Sequence, residues 1–143
     1  MRGRPGEALL RLPVRLRGIQ LGRPRDLLVD LAAERAVGLE IVCGDEVRRF
    51  LPLATATLRD DEIAVGSALM LLEEAELAFY RDRADALSGL RGLELERDGR
   101  PVGRLSDVVV GEGGTLEGVL VERDGAVEQL DAAGLRPRAA SAA

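Results

Sequence analysis

Two stretches of the 143-residue chain share one pattern: LGRPRDLLVD at residues 21–30 and VGRLSDVVVG at residues 102–111. In each, a glycine and an arginine precede an aspartate, which leads into a run of aliphatic residues. Short apolar runs with glycine and acidic residues at their ends are typical of buried strands. The two stretches therefore predict two similar β units, one in each half of the chain.

The similarity extends beyond these stretches at a nearly constant spacing. At an offset of 81 residues the matched pairs are Gly18 with Gly99, Gly22 with Gly103, Arg23 with Arg104, Asp26 with Asp107 and Val29 with Val110. At an offset of 80 the matched pairs are Gly38 with Gly118, Val47 with Val127 and Phe50 with Leu130. In both halves the order is glycine bend, strand, turn, strand, turn, strand. This shared order indicates an internal duplication.

We therefore predict a mainly β fold in which two small antiparallel β segments are joined by one α-helix. The first segment spans residues 14–68, the helix and its linker residues 69–92, and the second segment residues 93–131. Residues 1–13 are predicted to be a flexible N-terminal arm, and residues 132–143 a flexible C-terminal tail. Because a chain of this size buries two β units with difficulty, we expect the segments to pack on each other or the chain to form a homodimer.

The linker has the clearest helical pattern. Ser67 is a candidate N-cap, and residues 68–83 contain neither glycine nor proline. The predicted buried face consists of residues at helical spacing: Leu69, Leu72, Ala75 and Phe79. Tyr80 is expected at the rim of this face, where it could contact a partner.

The sequence also resembles a known protein family. The two matched stretches resemble the opening of a PRC-barrel repeat, where G-x-[LIV]-x-D and aliphatic residues precede a turn and a strand that often contains glycine. VGLEIV (37–42) and EGVLV (117–121) fill that strand, and RRFLPLATATLRDDEIAV (48–65) resembles the later strands, including a hairpin around its acidic residues. The resemblance covers roughly residues 14–131 and implies a small SH3-like β-barrel. No second hairpin follows Leu130, so the second barrel is expected to be incomplete.

The resemblance also implies a function. PRC-barrel domains occur in the photosynthetic reaction-centre H subunit, in a ribosome-maturation protein and in small stand-alone bacterial and archaeal proteins. The family is not enzymatic and has no fixed catalytic residues. It implies a non-catalytic adaptor that binds another protein, with self-association as one possibility. The alternative is an RNA- or ribosome-associated maturation factor. No catalytic, cofactor-binding or metal-ligating residue is assigned, no cofactor is expected, and the partner-binding residues stay unknown.

Composition narrows the function independently. The chain has no histidine and one cysteine, Cys43, which removes Ser-His and Cys-His triads, His/Cys zinc sites and intrachain disulfides. The net charge of −5 and the pI of about 4.9 disfavour binding to nucleic-acid backbones. Without a recognisable signal peptide or a long apolar segment, we expect a cytoplasmic protein that is not inserted in a membrane. Because no nucleophile–base pair can be formed, we expect that it is not an enzyme. Cys43 is expected to be a small buried apolar residue.

Asp26 and Asp107 could form a paired carboxylate site. The interpretation we favour is that each is a strand-entry acid that caps a turn or pairs with an arginine, such as Arg23 or Arg104.

Arg48 and Arg49 beside Phe50 could contact RNA or an acidic protein, but neighbouring strand residues point to opposite faces and would not form one patch. The acidic residues 60–62 are interpreted as a hairpin tip rather than a cation site.

Overall fold

The computed structural model of the chain describes residues 3–138. Its strands are β1 (Arg4–Pro5), β2 (Val14–Leu16), β3 (Ile19–Asp30), β4 (Arg35–Cys43), β5 (Arg48–Pro52), β6 (Ala56–Leu58), β7 (Ile63–Val65), β8 (Asp85–Ala86), β9 (Glu94–Arg97), β10 (Arg100–Val110), β11 (Leu116–Arg123), β12 (Ala126–Leu130) and β13 (Arg136–Pro137). Its α-helices are α1 (Gly6–Leu9), α2 (Glu74–Arg81) and α3 (Leu87–Leu90), and its 3₁₀ helices are Leu53–Thr55, Ala68–Met70 and Glu112–Gly114. The predicted mainly β fold, with two antiparallel segments joined by a helix, is confirmed.

The strands form two sheets. Sheet 1 has the order β5-β4-β3-β2-β7-β6, and β8 also pairs with β3. Sheet 2 has the order β12-β11-β10-β9-β13, and β1 also pairs with β10. The predicted hairpin around residues 60–62 is confirmed as the β6–β7 pair, and β7 joins sheet 1 through a short parallel contact with β2.

The two sheets contain the same ladder of paired residues. Equivalent pairs are Arg23–Val42 and Arg104–Glu122, Asp26–Glu40 and Asp107–Leu120, and Leu28–Gly38 and Val109–Gly118. The register also shifts at equivalent places, immediately before Asp26 in β3 and before Asp107 in β10. Because side chains alternate between the two faces of a sheet, equal register means that equivalent residues point to equivalent faces. The internal repeat predicted from the sequence is therefore present in the strand pairing.

The last strand of each repeat departs from the predicted alignment. The equivalent residues are Arg48 and Val127, Phe50 and Gln129, and Leu51 and Leu130. The sequence-based matches of Val47 with Val127 and of Phe50 with Leu130 are each wrong by one residue. The reason is the turn that closes the hairpin, which is one residue longer between β4 and β5 than between β11 and β12.

Each repeat begins with a short strand and a short helix that pack on the other repeat. β1 and α1 lie against β10 of sheet 2, whereas β8 and α3 lie against β3 of sheet 1. The exchange is reciprocal, as in a domain-swapped dimer, but it takes place within one chain. The equivalent residues Leu9 and Leu90 are both buried. The prediction of a flexible arm over residues 1–13 is therefore wrong for its described part, because Leu9 contributes to the core.

A single apolar core joins the two repeats. It takes residues from the inner faces of both sheets, among them Leu27, Leu39, Ile41, Val108, Val119 and Val121. Fully burying one such side chain stabilises a fold by roughly 1.5–3 kcal/mol. The equivalent residues Arg35 and Thr115 also form a β-bridge between the repeats. The two segments thus pack on each other, which was one of the two arrangements expected from the chain length.

The C-terminal region also differs from its prediction as a flexible tail over residues 132–143. Ala132 and Leu135 are buried, and β13 pairs with β9. Residues 139–143 lie outside the described residues. As expected, the described chain forms no second hairpin after Leu130. The two residues of β13 flank β9 where the β6–β7 hairpin flanks β2 in sheet 1.

Between residues 3 and 138, no helix combines the length and the apolar character needed to cross a bilayer.

Candidate protein-interaction surface

The faces of the two sheets that point away from the shared core, here called the outer faces, are built from equivalent positions. The equivalent pairs are Leu28 and Val109, Glu40 and Leu120, Arg48 and Val127, and Phe50 and Gln129. The sequence places different side chains at these positions, and the two faces are consequently covered in different ways.

On sheet 1, the linker closes the edge of β5. The Phe50 N–H donates to the Leu72 carbonyl oxygen at 3.0 Å, and the Leu72 N–H donates to the Phe50 carbonyl oxygen at 2.7 Å. These two bonds form an antiparallel bridge. An edge strand with unpaired backbone groups is a template for pairing with another chain. In sheet 1 the chain itself occupies that template.

Helix α2 then covers the outer face of sheet 1. The Phe50 and Tyr80 rings are stacked, with centroids 4.3 Å apart and 17° between their planes. Leu28, Phe50 and Leu77 are buried together as a small second core. Phe50 is fully buried, so its ring is not available to stack on a nucleic-acid base.

A buried carboxylate holds α2 to the sheet. Glu40 is only 6 % exposed, and its carboxylate binds the Arg48 guanidinium at 3.3 Å and the Arg81 guanidinium at the end of α2. A carboxylate buried without a partner would be costly, and these two arginines compensate it. Arg81 thereby ties the helix to the strand beneath it.

The linker helix is shorter than predicted, and a different side of it is buried. The predicted helix spans residues 68–83, but α2 begins at Glu74, after a 3₁₀ helix that is capped by the Ser67 side chain. Leu69 is 86 % exposed and Phe79 is 49 % exposed. Leu72 pairs with Phe50 as an extended residue, which interrupts the helical periodicity. Leu77, rather than Leu69 or Phe79, therefore faces the sheet. Tyr80 is half-buried on Phe50 rather than at a rim facing a partner.

On sheet 2, the edge of β12 and the adjoining part of the outer face are open within the described part of the chain, whereas Val109, the counterpart of Leu28, is buried beside the exchanged strand β1. Leu120 is half-buried, Gln129 is exposed, and Val127 is 57 % exposed. The Gln129 side chain lies over Gly118, as the Phe50 ring lies over Gly38. No described residue forms a bridge to the outer edge of β12.

The open edge presents backbone hydrogen-bonding groups in a defined direction. β11 and β12 are joined by the two-residue turn Asp124-Gly125, so the pairs along the hairpin alternate between hydrogen-bonded and non-hydrogen-bonded. Gln129 opposite Leu120 is a non-hydrogen-bonded pair, as Phe50 opposite Glu40 is in sheet 1. The N–H and C=O groups of Gln129 therefore point outward, as do those of Val127 two residues earlier.

The surroundings of this edge are acidic. Residues 116–131 contain a single arginine, Arg123, and the acidic residues Glu117, Glu122, Asp124, Glu128 and Asp131. Arg104 of β10, which pairs with Glu122, adds one basic residue to the outer face. We call the outer face of sheet 2, with the free edge of β12 and these acidic residues, the sheet 2 surface.

The two matched aspartates have a structural role. The Asp26 carboxylate accepts hydrogen bonds from the Ser88 hydroxyl and from the Ser88 N–H in α3 at 3.2 Å. The Asp107 carboxylate accepts one from the Glu7 N–H in α1 at 3.1 Å. Each thus caps the exchanged helix of the other repeat, so they do not form a paired site.

The arginine partners suggested for these aspartates are not found. Within residues 3–138, neither Arg23 nor Arg104 forms an ion pair with either carboxylate. The two carboxylates bind N–H groups of the exchanged helices α1 and α3 instead of arginine side chains. N–H groups in the first turn of a helix have no partner within the helix itself.

Other candidates from the sequence are also paired internally. Arg4 binds Asp60 at 2.9 Å, at the acidic hairpin tip. Arg48 turns to Glu40, whereas Arg49 binds Asp45 at 3.0 Å, which confirms that the two arginines do not form one patch. The Arg49 guanidinium and the Val47 N–H hold the pKa of Asp45 below its ordinary value of 3.8.

Neither Cys43 nor the acidic residues form a recognisable reactive or metal site. Cys43 is buried, as predicted. No group of three or more cysteine, aspartate or glutamate residues within the described range is placed to hold a metal ion. A groove of about 600 Å³ lies beside Cys43 between the turn after β4 and the linker. It is open to solvent, and no side-chain atom in residues 3–138 is both buried and without a hydrogen-bond partner.

Comparison of the sequence with protein-family models and with curated proteins found no match. The resemblance to PRC-barrel repeats accordingly stays a prediction that rests on the two matched stretches.

Proposed function

We propose that the protein is a non-catalytic protein-interaction module of PRC-barrel type, and that it binds its partner through the sheet 2 surface. The observation that carries this proposal is the free edge of β12 beside Leu120 and Val127. In the first repeat, the equivalent edge and face are covered by the linker. In the second repeat, no segment within residues 3–138 supplies an equivalent cover at the β12 edge, and the proposal assigns that role to another protein.

The charge of the surface supports a protein rather than a nucleic acid as the partner. Nucleic-acid binding depends on neutralising phosphates with basic side chains. Residues 116–131 have five acidic residues and one arginine, which would repel a phosphate backbone. A partner protein can supply apolar side chains that cover Leu120 and Val127 and basic side chains that pair with the acidic residues.

The proposal is tested by photo-crosslinking in cells that naturally produce the protein. A benzophenone amino acid is placed at Val127, and as a matched control at Ile19, which is 67 % exposed on sheet 1. We expect one protein to be crosslinked from position 127 and not from position 19, and Leu120→Arg to reduce the yield at least fivefold. Equal yields from the two positions, or crosslinks to RNA alone, would contradict the proposal.

A further inference from the structure

We propose that the partner adds an antiparallel strand to β12, through an extended segment that is apolar toward the sheet and basic at its flanks. This inference deepens the proposed function and rests on it. It specifies how the sheet 2 surface is recognised and by what chemistry.

The backbone of sheet 1 provides the template for this mode of binding. There the linker runs antiparallel to β5 and exchanges two hydrogen bonds with Phe50. Gln129 is the equivalent of Phe50, and its N–H and C=O point outward in the same direction. Backbone pairing of this kind supplies affinity without requiring a particular partner sequence, while side-chain contacts supply specificity.

The side chains next to this edge select an apolar segment. Where sheet 1 has Glu40 and Arg48, sheet 2 has Leu120 and Val127. The carboxylate that binds Arg81 in sheet 1 is thus replaced by a leucine. A charged residue placed over Leu120 would lose its hydration without gaining a partner. An apolar side chain there would instead bury the exposed part of Leu120 and Val127.

The acidic residues around the edge select basic flanks and argue against two occupants from this chain. The sequence of the linker carries Glu73, Glu74 and Glu76, so a linker from a second molecule would bring negative charge to a negative surface. A second copy of β12 would bring Glu128 toward the same acidic residues. We therefore assign the position to a basic segment of a different protein.

The experiment uses the full chain as bait for a phage-displayed library of random 16-residue peptides. We expect enriched peptides to carry net positive charge and alternating apolar residues. In ¹⁵N spectra, a selected peptide should shift the amide signals of Val127 and Gln129 and slow their hydrogen exchange. Signals of β5 should stay unchanged, since the linker already occupies that edge.

The decisive variant is Gln129→Pro, with Gln129→Thr as its matched control. Proline removes the outward N–H and is tolerated on edge strands where that N–H faces solvent. We expect Gln129→Pro to weaken peptide binding at least tenfold, and to weaken it more than Gln129→Thr, which keeps the backbone N–H. If Gln129→Pro fails to fold, the double variant Glu122→Arg and Glu128→Arg tests the same site and should weaken binding at least fivefold.

Several results would overturn strand addition. They are a library that yields no binding peptide, peptides that bind Gln129→Pro as well as the native chain, and signal changes confined to sheet 1. A dimer in sedimentation velocity that Gln129→Pro dissociates would assign the edge to a second copy and refute a separate partner. Crosslinking from Val127 that is unaffected by Gln129→Pro would refute only this inference. The absence of any crosslinked protein from Val127 in a chain with native Gln129 would refute the proposed function.

Discussion

The outer faces of sheets 1 and 2 share one ladder of strand pairs and yet differ in what covers them. On sheet 1, Phe50 is fully buried under α2, and the edge of β5 is paired with the linker. On sheet 2, the equivalent Gln129 is exposed beside a free edge. The comparison teaches that backbone register makes the two positions equivalent, whereas a few side chains decide which one the chain itself covers. Under the proposed function, the first face serves stability and the second serves recognition.

The largest expected effect comes from giving sheet 1 the residue that sheet 2 carries. Phe50→Gln removes a buried ring from the stack with Tyr80 and places an amide in an apolar site. We expect a loss of about 3–5 kcal/mol in the free energy of unfolding, measured by urea denaturation. The reverse change, Gln129→Phe, is the matched control and should leave stability within about 1 kcal/mol. Similar losses for both variants would contradict the comparison.

The contribution of α2 to the covered face is tested next. Leu77→Ala should destabilise the chain by about 2–3 kcal/mol, because it leaves a cavity against Leu28 and Phe50. Leu69→Ala, on the 3₁₀ helix that precedes α2, should change stability by less than about 0.5 kcal/mol, because Leu69 is 86 % exposed. Equal losses of stability for the two variants in thermal unfolding would instead support the buried helical face that the sequence predicts, which includes Leu69.

The reciprocal exchange predicts a matched pair of smaller effects. Asp26→Ala and Asp107→Ala each remove the cap of an exchanged helix, so each should cost about 1–2 kcal/mol. Asp61→Ala, at the exposed hairpin tip, is the control and should be close to neutral. Hydrogen exchange should show faster opening of α3 in the first variant and of α1 in the second. Opening of the same helix in both variants would contradict the reciprocal exchange.

The smallest expected effect concerns the turn between β4 and β5, where Asp45 is paired with Arg49. The pKa of Asp45 is lowered by Arg49, so the stabilisation by this ion pair is complete above the ordinary value of 3.8 and is lost as the pH falls through the lower folded-state pKa. Carboxyl-detected NMR titration should place the midpoint of Asp45 below 3.8, and Arg49→Gln should raise it. The Val47 N–H remains in that variant, so the return is partial. An unchanged midpoint would show that Arg49 is not the cause.

Much of the fold could be predicted from local patterns. The longer strands, the hairpin at residues 60–62 and the repeat were visible, because glycine turns and aliphatic runs are local signals. The two-residue strands β1, β8 and β13 were not, because they depend on pairing with distant strands. The open edge at β12 could not be found in this way, since it depends on which strands acquire neighbours. The signal that could have identified it is the polar Gln129 at the position where the first repeat has the apolar Phe50. The predicted alignment matched Phe50 with Leu130 instead, one residue away, and so did not show this difference.

The sequence by itself determined the mainly β class, the duplicated order of strands and turns, and the burial of Cys43, because each follows from side chains close together in the chain. Only the tertiary structure decided that the two repeats exchange α1 and α3, that Asp26 and Asp107 cap those helices, and that the linker covers one sheet and leaves the other open. These features depend on contacts between residues far apart in the sequence, such as Glu7 and Asp107, which are separated by 100 positions. Local patterns carry no information about which of several compatible partners such a segment meets.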